Sequence, residues 1–270
     1  MAIKGEWIGY GKEVGYFAIP ERAARPLPSV VVIQEIGGVN DQIEDVTRRI
    51  AAAGYAALAP DIFAVDGVRP EALSKERISE AFDFMATMPN ASRFDPAVRD
   101  AAMAKLPEDK RLRIDESFKK IFSMANSLPI FIPPLKRAVN YLRTERPETA
   151  GKRVGCVGFC MGGSLSALLA CEESELSGAA MYYGGAPAEE KIPAIACPVI
   201  AFYGGNDQRV NAGIPAFEEA MKKADKIFEH RVYPGANHAF FNDDGPSYEV
   251  NASRDSFARL LSFFANTLVE

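Results

Sequence analysis

The chain has 270 residues, of which 48% are hydrophobic and 25% charged, with a formal net charge of −5. This is the composition of a soluble globular protein, and nothing in it forces a second domain. The negative balance argues against nucleic acid or an anionic membrane as the main partner. No run approaches the length of a membrane span, and the opening MAIKGEWIGYGKEVGYFAIP shows neither the apolar core nor the cleavage pattern of a signal peptide. Cys156, Cys160, Cys171 and Cys197 form no CxxC pair, so a reducing cytoplasm is the expected setting. With His230 and His238 the only histidines, a histidine-rich metal site is not expected.

In chain order, Glu6–Tyr10 and Val14–Ile19 read as a hairpin turning at Gly11-Lys12. Ser29–Gln34 is a Val/Ile run suited to a strand buried on both faces, and it ends in Glu35-Ile36-Gly37-Gly38. A helix is predicted from about Asp41, with Ile43, Val46, Ile50 and Ala53 on one face and Gly54 as its stop. Tyr55–Ala59 is the next strand, which gives a β-α-β rhythm and predicts a mostly parallel sheet with helices on both faces. Residues 66–132 break that rhythm. They are charged, helix-prone and divided by prolines, and they predict two or three helices inserted into a single domain spanning 1–270. Ile78, Phe82 and Met85 form one apolar stripe; Ile114, Phe118, Ile121 and Phe122 form another. Such stripes serve to pack the insertion onto the main domain, and the insertion could also act as a lid over a pocket. Beyond it lie a helix at Leu135–Glu145 and strands at Val154–Phe159, Gly178–Tyr183, Pro198–Tyr203 and Phe228–Tyr233. Helices are predicted at Phe217–Ala224 and Tyr248–Leu268, the latter with Phe257, Leu260, Leu261 and Phe264 inward.

The chemistry centres on Lys152–Ala170. An apolar strand turns through Gly158-Phe159-Cys160-Met161-Gly162 into a helix-compatible run. Strand, sharp turn and helix around G-x-nucleophile-x-G is the nucleophile elbow of the α/β-hydrolase fold, here with cysteine in the serine's place. A helix N-terminus aimed at the thiol favours the thiolate. Reactive groups of open α/β sheets collect beyond the carboxyl ends of the strands. Glu35, Cys160, Asp207 and His238 all stand at such ends. The order nucleophile, acid, histidine predicts Cys160 as nucleophile, His238 as proton shuttle and Asp207 as its orienting anion. Asp207 also suits a turn or cap, and His230, inside a strand, is assigned no role. The N–H groups of Ile36 and Met161 are the expected oxyanion donors.

QEIGG, APDIF, GFCMGG, YGGNDQRV and YPGANHAF, in this order along nearly the whole chain, resemble the dienelactone hydrolases, or carboxymethylenebutenolidases. The resemblance implies an α/β-hydrolase fold and a Cys160–His238–Asp207 triad, with Glu35 holding or deprotonating the resting thiol. It implies hydrolysis of a lactone or ester through an acyl-enzyme, without metal or cofactor. Two departures bear on the substrate. The family places carboxylate-binding arginines after its PDLY-like motif and at HxFxR; here Val65 and Asn242 stand in those places, Asp66 adds a negative charge, and Arg69 is the one nearby substitute. A neutral small-molecule lactone or ester is therefore expected. The alternatives are a carboxylesterase or thioesterase of the same fold and a non-catalytic homologue that binds a small molecule, which would predict a damaged triad. The oligomeric state is left open.

Overall fold

A computed structural model of the chain describes residues 2–89 and 95–269. In chain order the elements are β1 (Ile3–Tyr10), β2 (Glu13–Pro20), β3 (Ser29–Ile33), α1 (Asp41–Ala52), β4 (Ala56–Pro60), α2 (Lys75–Ala86), α3 (Pro96–Met103), α4 (Glu108–Ala125) and α5 (Ile132–Asn140). They continue with β5 (Val154–Phe159), α6 (Met161–Glu172), β6 (Leu176–Tyr182), β7 (Val199–Gly204), the one-turn α7 (Gln208–Asn211), α8 (Ile214–Lys223), β8 (Phe228–Tyr233) and α9 (Val250–Leu268). The strands form one sheet in the order β1-β2-β4-β3-β5-β6-β7-β8. The β1–β2 and β2–β4 pairings are antiparallel; every pairing from β4 to β8 is parallel.

The alternation of side chains along a strand divides the interior into two layers. Val31 and Ile33 of β3, Cys156 of β5 and Met181 of β6 face one core, shared with Leu135 and Val139 of α5 and Leu165 of α6. Val30 and Val32, Val157 and Phe159, and Ala180 and Tyr182 face the other, shared with Ile43, Val46 and Ile50 of α1 and Leu260 and Phe264 of α9. Helices thus cover both faces, which is why the central strands read as unbroken apolar runs. Asn40 starts α1 by accepting from the Ile43 N–H at 3.1 Å, and Asp41 and Glu44 complement the positive end of its dipole.

Between β4 and α5, the insertion contributes three helices among the described residues, α2, α3 and α4. Its stripes serve two cores rather than one. Ile78 and Ile121 join the sheet's core, while Met85, Phe84, Ile114 and Phe118 form a separate cluster with Met88 and Met103. The Arg77–Glu116 (2.7 Å) and Arg113–Glu80 (3.1 Å) pairs tie α2 to α4. Lys75, bonded to Glu44 at 2.9 Å, ties the start of α2 to α1. The helix expected at Leu135–Glu145 begins earlier, at Ile132, because Pro133 and Pro134 sit in its first turn, where no N–H is needed; it ends in a π-helical turn over Tyr141–Glu145. The helix after the elbow begins at Met161, directly after Cys160.

Candidate active site

Cys160 is the single residue between β5 and α6, and its backbone lies at φ +55, ψ −114, a conformation that side chains rarely adopt. Glycines permit the turn. A Cβ on Gly158 would lie 1.9 Å from the Gly162 carbonyl oxygen, and one on Gly162 would lie 2.3 Å from that of Ile33. The second contact shows that the first turn of α6 presses against the end of β3, which brings Met161 beside the loop carrying Ile36. Neither of their N–H groups has a hydrogen-bond partner among the described residues, as an oxyanion site requires.

Asp207 follows β7. One of its oxygens accepts from the Val210 N–H at 3.4 Å and caps α7; the other meets His238 Nδ1 at 2.5 Å. One carboxylate therefore caps α7 and meets the imidazole at once. The His238 loop reaches this position because Gly204 has no side chain; a Cβ there would lie 2.5 Å from the Asn237 carbonyl oxygen. Asn206 fastens the loop through its amide, which donates to the Gly235 carbonyl at 2.9 Å. Burial disfavours the charged imidazole, but hydrogen bonds to Asp207 and Cys160, with the charges of both, outweigh it and lift the His238 pKa to about 10. Burial acts against the Asp207 carboxylate as well, yet its bond to His238 leaves its pKa below the ordinary value. His238 thus bonds Asp207 on one side and feels the charge of Cys160 on the other.

Glu35 lies half-buried beside them. Tyr183 O–H donates to its Oε1 at 3.0 Å, and Asn242 Nδ2 donates to its Oε2 at 3.2 Å. Burial raises the Glu35 pKa, against the opposing effects of Tyr183, the His238 charge and Asn242. Both oxygens are thus engaged, and no hydrogen bond joins Glu35 to Cys160 among the described residues. No sequence motif marks Tyr183 as functional. Its only signal is its place at a strand's carboxyl end, in YYGG. The structure holds it at φ +41 with its ring centroid 5.0 Å from that of His238. Asn242, read only as a missing arginine, becomes a donor to Glu35.

The other expected contributors lie elsewhere. Val65 is 64% exposed on a turn. Arg69 gives Nε and Nη2 to Asp61, at 2.8 Å each, so its charge is largely matched. Its Nη1 lies 3.2 Å from where a Cβ of Gly38 would stand. His230, with no assigned role, stacks on Phe228 within β8. The insertion does approach the site's margin: Phe82 Cε2 lies 3.6 Å from the Cβ position of Gly37. Between them opens a cleft of about 560 Å³ whose walls include Asp41, Lys75, Asp83 and Asp244.

The model of the dienelactone hydrolase family matches residues 14–268. The chain belongs to that family. Among its curated relatives is a "Putative carboxymethylenebutenolidase" of Saccharolobus solfataricus, 34% identical over 249 residues, spanning 92% of this chain and 91% of that one. A relative of the same name from Synechocystis sp. is 30% identical over 269 residues, covering 94% and 92%. Among solved structures, the dienelactone hydrolase of Anabaena variabilis aligns with a TM-score of 0.62 at 19% identity, covering 99% and 98% of the two chains. The dienelactone hydrolase-like promiscuous phosphotriesterase P91 from metagenomic libraries aligns at 0.67 and 21%, covering 99% and 100%. At these identities the structures speak for the fold, which is that of the α/β-hydrolases, and the family membership makes the chain a hydrolase. No helix among the described residues is long and apolar enough to cross a membrane.

Proposed function

We propose that this dienelactone hydrolase family member cleaves a neutral carboxylic ester or lactone through a cysteine acyl-enzyme. The observation that carries the reading is the line Cys160–His238–Asp207, with the thiol on the strained elbow and the imidazole 2.5 Å from its carboxylate. Cys160 sulfur, as thiolate, attacks the acyl carbon, and the carbonyl electron pair moves onto oxygen, held by the N–H groups of Ile36 and Met161. Collapse expels the alkoxide, which takes the imidazolium proton of His238. Neutral His238 then removes a proton from water as it attacks the thioester, and the second collapse returns the thiolate and the carboxylic acid. Asp207 keeps the imidazole oriented throughout and stabilises its charged form. Glu35 is assigned the proton of the resting thiol, for which its carboxyl must leave Tyr183 or Asn242.

Intact-mass measurement during turnover of a slow ester tests the proposal. An acyl adduct on Cys160, and its loss together with activity in Cys160→Ala, are expected. Turnover of that variant within a few-fold of the parent would end the reading. Alkylation gives a second handle. Burial pushes Cys171 up to about 11 and Cys197 to about 12, and Cys156 higher still, so iodoacetamide should label Cys160 first.

A further inference from the structure

The sheet ends at β8, whose outer edge carries no strand among the described residues. The Val199 N–H donates to the Ile227 carbonyl at 3.0 Å, and the Gly205 N–H donates to that of Tyr233 at 2.8 Å. The odd-numbered residues of this stretch therefore direct their peptide groups at β7. Because peptide directions alternate along a strand, Phe228, His230 and Val232 direct theirs outward, as an open template. Glu229 and Arg231 are both exposed, and neither has an ion-pair partner among the described residues. Asp255, the acid on which the Arg231 charge acts, is already bonded to Arg259 at 2.7 Å. The opposite edge of the sheet differs, since Lys4 and Glu6 of β1 satisfy each other at 2.8 Å.

We propose that two copies of this chain associate through antiparallel pairing of β8 with the partner's β8, about a two-fold axis through His230. Outward-facing residues must oppose outward-facing ones, so the axis falls on a residue, and the choice of residue sets which charges meet. An axis through Glu229 or Arg231 would set that charge against its own copy. The axis through His230 sets Glu229 against the partner's Arg231, and Arg231 against the partner's Glu229. These fall at non-hydrogen-bonded pairs, where side chains approach most closely. His230 opposite the partner's His230, and Phe228 opposite the partner's Val232, are the hydrogen-bonded pairs, each exchanging two backbone bonds. Ile227 and Val232, 63% and 38% exposed in the single chain, lose exposure at the same time. A six-residue edge is a small contact beside a standard interface of roughly 1,200–2,000 Å², so association in the micromolar range is expected. The antiparallel arrangement sends the carboxyl ends of the two parallel sheets in opposite directions. Each candidate active site is then complete in its own subunit, and the association does not depend on the proposed chemistry.

Sedimentation velocity over about 1 to 100 µM tests the pairing on the full chain. The parent should shift from one copy to two with rising concentration. Arg231→Glu, which sets like charges across the axis, should weaken association by about tenfold or more, and Glu229→Arg combined with Arg231→Glu should restore it. Hydrolytic activity should not change in any of these variants. His230→Cys in a Cys160→Ala background should form a disulfide-linked dimer on oxidation, because the axis sets the two thiols face to face. A parent that stays monomeric at 100 µM would overturn the proposal and leave the edge charges the role of blunting the strand against pairing. A dimer indifferent to the charge reversals would overturn it equally, by placing the interface elsewhere.

Discussion

Asp207 and Glu35 are two carboxylates close to one imidazole, and their surroundings push them in opposite directions. Asp207 stays anionic because His238 bonds to it. Asp207→Asn should retain the fold but lower kcat by about three to four orders of magnitude, since the imidazole loses its orienting anion. The same variant carries a stability signature. His238 binds its proton more tightly folded than unfolded, with a pKa of about 10 against 6.5. That contribution is fully present below pH 6.5 and is lost as pH rises towards 10, so the parent's Tm should fall across that window and the variant's should fall less. Equal slopes would show that the pair does not set the imidazole's affinity. Glu35 has the opposite linkage. Its folded pKa lies above the ordinary 4.5, so the folded state binds the extra proton and stability declines as pH rises from there. Glu35→Gln should remove this decline and leave the protein more stable at neutral pH. It should also slow acylation if Glu35 receives the thiol proton; parent-like acylation across the pH profile would leave Glu35 a structural part.

The elbow at Cys160 holds together as an element because three backbones approach where side chains would not fit. Gly162→Ala should cost at least about 1–3 kcal/mol, because its methyl would meet the carbonyl oxygens of Ile33 and Gln34 at 2.3 and 2.5 Å, and backbone cannot step aside cheaply. Gly9→Ala is the matched control. Its nearest neighbour would be a carbonyl oxygen at 3.9 Å, so a change within about 0.5 kcal/mol is expected from the same urea titration. Similar costs at the two positions would mean that the elbow is less crowded than its contacts imply. The α2–α4 pair behaves differently from a free flap. The burial of Ile78 and Ile121 in the sheet's core and the Lys75–Glu44 bond hold it to the main domain. Two ion pairs and its own apolar cluster keep its helices together, and the combination favours a fixed wall over a swinging lid.

At the scale of the whole molecule, charge bears on substrate choice. The net charge of −5 repels anions at long range, and the cleft beside Gly37 adds Asp41, Asp83 and Asp244 against Lys75, itself bonded to Asp41 and Glu44. A substrate carboxylate entering a largely dehydrated pocket needs a cation, and Arg69 is already committed to Asp61. The kcat/KM ratio for a methyl ester over its matching lactone acid should therefore favour the ester by about ten- to a hundredfold, the worth of one charge-assisted contact. A clear preference for the free acid would mean that Arg69, through Nη1, serves the missing role.

Much of this organisation could be read from residue order alone. The Val/Ile runs declared strands buried on both sides, and the flanking glycines declared a turn too tight for side chains, because period and size act locally. The order Cys160, Asp207, His238 placed three reactive groups at strand ends, because parallel strands put all their carboxyl termini on one edge. Which residues meet across that edge was not legible. Glu35 and Tyr183 are far apart in the chain, as are Glu35 and Asn242, and no local pattern marks a hydrogen bond between them. The split of the Ile78–Met85 stripe between two cores was equally hidden, since periodicity gives a helix its apolar face but not the number of neighbours that face serves. Those assignments depend on where the folded sheet brings distant backbones together, and only the tertiary structure decides that.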